Sequence, residues 1–110
     1  MKYNVHLTGP VKCDLQNVSR YISVELKNRT AARKLMLDTR EAIRSLREQP
    51  FRHALVEDGF LASRGIRSFP VHNYLVFYVA REEGRKVTVL RFLYGSRDWA
   101  AILKDEAEPE

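Results

Sequence analysis

The chain has 110 residues, enough for one domain with a shared core, and 45% hydrophobic with 30% charged residues excludes a disordered chain. Nineteen Lys and Arg against fourteen Asp and Glu leave a net charge of +5, which points to an acidic partner: nucleic acid, an anionic membrane or an acidic protein. A single cysteine, Cys13, excludes an internal disulfide framework, and the longest apolar run, Tyr74–Ala80, is too short to span a bilayer.

Tyr3, Val5 and Leu7 alternate with Lys2, Asn4 and His6, which predicts a half-buried strand ended by Gly9-Pro10. Pro10 suits the first turn of a helix. From there Val11, Leu15, Val18, Ile22 and Leu26 recur at helical spacing to about Lys27. Asn28 and Thr30 are both acceptable N-cap residues. A second helix follows with Leu35, Thr39, Ala42, Ile43 and Leu46 on one stripe, stopped at Gln49-Pro50. So short a connection predicts an antiparallel helical hairpin. Residues 51–62 read as a loop. Three strands are then expected: Ile66–Pro70, Tyr74–Ala80 and Val87–Tyr94, joined by turns at 71–73 and 82–85. Asp98 caps a short final helix, Trp99–Leu103. The expected fold class is α+β: an N-terminal strand, a helical hairpin, and a three-stranded antiparallel meander completing a small sheet. Residues 1–103 form the single domain, and residues 104–110 an acidic tail with little to bury, expected to be disordered.

Much familiar chemistry is missing. The five glycines are scattered and form no phosphate loop. His6, His53 and His72 have no metal-ligand spacing with one another or with Cys13, so no metal and no cofactor is expected. No nucleophile elbow is present, and Cys13 has no local His to activate it. MKYNVHLTGP lacks the apolar segment of a secretory signal, so a cytoplasmic location is expected, with no membrane partner. What remains is arginine and aromatic: Arg64, Arg67, Arg81, Arg85, Arg91 and Arg97 all fall among the strands. Arginine suits bidentate phosphate contact and stacking, but such a set also forms an ordinary solvated face.

The segments Gly65–Tyr78 and Val87–Asp98, with Asp14–Ile22 before them, resemble the RelE/ParE toxins of bacterial type II toxin–antitoxin modules over about residues 3–103. That resemblance implies a growth-inhibiting toxin neutralised by a cognate antitoxin. The antitoxin would wrap over the helices and basic sheet, folding as it binds in a toxin–antitoxin hetero-oligomer. RelE-type members are ribosome-dependent mRNA endonucleases (mRNA interferases); ParE-type members poison DNA gyrase. The Leu-Tyr-Gly-Ser-Arg-Asp ending looks more like ParE, and Tyr94 stands where many relatives carry His. The leading expectation is therefore gyrase poisoning by binding, with Arg64, Arg67, Arg91 and Arg97 as target or nucleic-acid contacts. The alternative is mRNA cleavage, for which Arg67, Tyr94 and Arg97 would be catalytic, or a degenerate toxin that keeps only antitoxin binding. A nuclease needs a general base, and His72, Glu57 and Asp58 have no local reason for a tuned pKa. Without residues 104–110 the domain has eighteen basic and ten acidic residues, a net of +8.

Overall fold

The computed structural model describes residues 2–107. Strand β1 (Asn4–Leu7) leads through Thr8 into helix α1 (Gly9–Arg20). The Thr8 hydroxyl oxygen accepts the Val11 N–H at 3.2 Å, which satisfies a first-turn donor. α1 continues into a π-helical turn, Tyr21–Glu25, in which the Leu26 N–H reaches the Tyr21 carbonyl. Asn28 caps helix α2 (Arg29–Arg44) through its side-chain oxygen and the Ala31 N–H at 3.0 Å. A 3₁₀ turn, Ser45–Arg47, extends it. Helix α3 (Gly59–Ser63) is a single short turn, followed by β2 (Arg67–Val71), β3 (Tyr74–Arg81), β4 (Lys86–Tyr94) and helix α4 (Trp99–Ala107).

The sheet order is β1-β4-β3-β2. The last three strands form the expected antiparallel meander, and β1 pairs parallel with β4. One sheet face carries Phe69, Val76, Tyr78, Val87, Val89 and Phe92 against Val11, Leu35, Ile43 and Leu46 of the hairpin. The other carries Phe77 and Leu93 against Val56, Leu61, Ile66 and Leu103. Both faces are thus covered, and β3 is apolar on both sides for that reason. Tyr78, fully buried, donates its hydroxyl to the Pro50 carbonyl at 2.6 Å.

Three expectations need correction. Residues 51–62 are not loop throughout: Asp58 Oδ1 accepts the Leu61 N–H at 3.0 Å and starts α3. The last helix runs past Leu103 to Ala107, so the disorder expected from residue 104 does not hold there. Long-range ion pairs tie that turn down, Lys104 to Asp58 at 2.8 Å and Glu106 to Arg91 at 2.6 Å. Residues 108–110 of the tail lie outside the described residues. Finally, strict alternation places Leu90, Phe92 and Tyr94 on one face, but Phe77 pairs with Arg91 and Tyr78 with Val89, leaving Leu90 as a bulge. Val89 and Phe92 consequently share the hairpin face, while Leu90 packs on the other.

Candidate functional site

The bulge has a purpose that begins with Asp14. β1 ends at Leu7, opposite Val89, so β4 has no strand neighbour on that side beyond this point. α1 takes over. Thr8 donates its hydroxyl to the carbonyl of the bulged Leu90 at 2.9 Å, and the Phe92 N–H donates to Asp14 Oδ2 at 3.0 Å. Arg91 clamps the same carboxylate, Nε to Oδ2 at 2.6 Å and Nη2 to Oδ1 at 2.8 Å. Its Nη1 donates to Glu106 in α4 at 2.6 Å. The Asp14 bond above all, and Glu106 behind it, hold the guanidinium more firmly charged than a free arginine. Arg91 therefore joins α1, β4 and α4, and its charge is consumed inside the fold.

The other proposed arginines are spread over the molecule. Arg67 on β2 donates Nη1 to the His53 carbonyl at 2.7 Å, and its guanidinium lies 5.3 Å from the Phe51 ring. It pins the segment that precedes α3. Neighbouring His53 stacks on Phe69 at 4.4 Å and is pushed below the usual histidine range by burial first and Arg52 second. Arg64 follows α3, with its guanidinium 5.2 Å from the Phe60 ring. Arg81 and Arg85 are exposed at the β3–β4 turn. Only Arg97 accompanies Tyr94. It is exposed, and no ion pair holds its side chain among the described residues.

Tyr94 and Arg97 line a groove of about 800 Å³ between the far end of the hairpin and the ends of β3 and β4. Val18, Tyr21, Ile22 and Leu26 supply one wall, Ala31 and Leu35 a second, and Tyr74, Phe92 and Tyr94 the floor. Tyr74 stacks on Phe92 at 4.9 Å and meets Tyr94 edge-on at 5.4 Å. Burial chiefly, then Tyr94 and Tyr21 nearby, push the Tyr74 phenol above its ordinary value, the wrong direction for an acid at neutral pH. The groove mouth is apolar and open, with Tyr21 52%, Leu26 55% and Tyr94 44% exposed. His72 stands at its rim, 2.7 Å from Asp38 of α2, and that bond first, then Lys34, lowers the Asp38 carboxyl.

Of the three residues expected to act in RNA cleavage, Tyr94 and Arg97 come together at the groove but Arg67 does not join them. Arg67 lies opposite Tyr78, whereas Tyr94 lies opposite Tyr74. Four residues along the strand and two strands across separate them by about 16 Å. Tyr21, Leu26 and Tyr74 were absent from the sequence-derived site. The π-helical turn explains Leu26, because an extra residue per turn rotates it off the buried stripe and into the open. A tyrosine beside an apolar stripe was the one visible signal for Tyr21. Among the described residues no cluster of His, Cys, Asp and Glu could hold a metal ion, and no helix is long and apolar enough to cross a membrane.

Comparison with known proteins now bears on this geometry. The family model described as "ParE toxin of type II toxin-antitoxin system, parDE" matches residues 5–99. The structure is similar to the chromosomal ParDE system from P. aeruginosa, with TM-score 0.68 and 18% identity over 84% of this chain and 96% of that one. It is also similar to the RelBE2 toxin–antitoxin complex from Mycobacterium tuberculosis (TM-score 0.57, 19% identity, 86% and 99% covered). A third likeness is to the archaeal RelE–RelB complex from Pyrococcus horikoshii OT3 (TM-score 0.53, 17% identity, 88% and 99% covered). At these identities the likenesses show the fold. A search of the curated proteins finds no match.

Proposed function

As the chain belongs to the ParE toxin family of type II toxin–antitoxin systems, we propose that it inhibits growth by binding and poisoning DNA gyrase. A cognate antitoxin that occupies the groove neutralises it. The observation that carries this reading is the composition of the groove. It has an open aromatic floor, apolar walls and one uncommitted cation, Arg97, while the His72–Asp38 pair stands at the rim with each group engaged by the other. Such a surface suits a protein segment with apolar anchors and a carboxylate. Cleaving RNA would require a base, an acid and cations around one phosphate. Arg67 is bound to a backbone carbonyl about 16 Å from Tyr94 along the sheet, which disfavours the mRNA endonuclease reading. The ParDE likeness leans the same way.

The antitoxin follows from the same surface. The three similar structures are toxin–antitoxin systems or complexes, and an exposed apolar groove on a small basic toxin needs a cover in the resting cell. The reading is tested by adding purified toxin to gyrase and plasmid and measuring supercoiling. Inhibition with accumulation of cleaved DNA is expected, weakened at least 10-fold by Arg97→Glu and restored by antitoxin. Unimpaired supercoiling at toxin excess would refute it.

A further inference from the structure

α2 carries arginines at 29, 33, 40 and 44, and Arg47 follows in the turn that extends it. At about 100° per residue the four helical positions fall within an arc of about 60°. All five residues are exposed. The carboxylates of α2 lie outside that arc. Asp38 is held by Lys34 and His72, and Glu41 sits about 60° beyond the arc's edge. Among the described residues none of the five arginines takes part in an ion pair. Like charges four apart on a helix repel, so this row weakens the helix unless a polyanion covers it.

The row has a gap. Arg29 and Arg33 form one group, Arg40, Arg44 and Arg47 another, and about 10 Å of helix axis separates Arg33 from Arg40. Leu37, 52% exposed, sits in the gap. A B-form major groove is about 12 Å wide between its phosphate rims. From this match we propose that the outer face of α2 docks on duplex DNA, one arginine group on each rim of a groove. A bilayer is a poorer fit because only Leu37 and Met36 flank the arc, each about 20° beyond its edges, and Met36 is already packed against the core. The deep, narrow major groove of A-form RNA is a poorer fit to the gap. Ala31 and Leu35, which line the protein-binding groove, lie on the opposite side of α2 from the arginines. DNA and a protein partner therefore occupy separate faces. This docking stands independently of whether gyrase is the target.

The test is fluorescence anisotropy of a 20-base-pair DNA duplex of arbitrary sequence with the full chain. Five phosphate contacts predict a loss of affinity of about 500-fold between 50 and 200 mM salt. The variant Arg33→Glu/Arg40→Glu/Arg44→Glu loses at least 10-fold at low salt and about three units of salt slope. Its circular dichroism is unchanged, since exposed Glu suits a helix. The control Lys12→Glu/Arg81→Glu/Lys86→Glu changes net charge equally at exposed sites and keeps near wild-type binding. An equal loss in the control would overturn the proposal by reducing it to net charge. So would tighter binding to an RNA duplex or to anionic phosphatidylserine vesicles than to DNA, or no DNA binding at 50 mM salt.

Discussion

Asp14 serves three donors: two from Arg91 and the Phe92 N–H that the end of β1 leaves unpaired. Both side chains are largely shielded, 11% and 15% exposed, so the pair is only lightly screened by water. Asp14→Asn removes the more buried of the two carboxylates on Arg91, leaving only the part-exposed Glu106, and is expected to lower the unfolding free energy by about 3 kcal/mol. Urea titration checks this, and a loss below about 1 kcal/mol would contradict it. Asp38 gives a pH signature at the groove rim. Its folded pKa lies below the ordinary 3.8, owing first to His72 and then to Lys34. The folded state therefore binds fewer protons than the unfolded chain over that interval. The stabilisation is whole above about pH 5 and is lost as pH falls through the lowered folded value. The urea midpoints of wild type and Asp38→Asn should differ most at neutral pH and converge below pH 4. A gap that stays constant on acidification would exclude Asp38 from this role.

At the scale of elements, the groove exists because two local irregularities reposition side chains. The π-helical turn brings Leu26 into the open, and the Leu90 bulge sets Phe92 and Tyr94 in line with Tyr74. Leu26 is more than half exposed, so Leu26→Asp should leave the thermal midpoint nearly unchanged yet weaken antitoxin binding at least 10-fold in titration calorimetry. Undiminished affinity would place the antitoxin elsewhere. Neither irregularity was legible in the sequence. Val11, Leu15, Val18 and Ile22 define the buried stripe of α1 by spacing alone, and Asn28 and Asp98 read correctly as caps. A one-residue bulge, by contrast, depends on the partner strand and on Thr8 and Asp14 reaching β4 from another element. The same long-range logic hid the last turn of α4, where the acidic composition suggests disorder but Glu106 and Lys104 find partners far away in sequence. It also gives Arg67 and Arg91, whose residue type suggests a ligand, partners within the fold, the His53 carbonyl and Asp14.

On the scale of the whole molecule, the basic surplus divides into charges that build the fold and charges that face outward. Arg91 and Lys104 belong to the first kind. Arg97 at the groove and the α2 row belong to the second. Spacing of four, seven and four residues makes that row visible in the sequence only once the helix is known to run unbroken from Arg29 to Arg44. The resulting molecule has an apolar groove on one side of α2 and a cationic face on the other. The decisive measurement is to induce the toxin in cells without antitoxin and follow gyrase cleavage complexes and A-site mRNA cuts together. Trapped gyrase–DNA complexes with intact mRNA, unchanged in kind by Arg67→Ala, are the predicted result. Codon-specific mRNA cleavage with normal gyrase, abolished by Arg67→Ala, would contradict it.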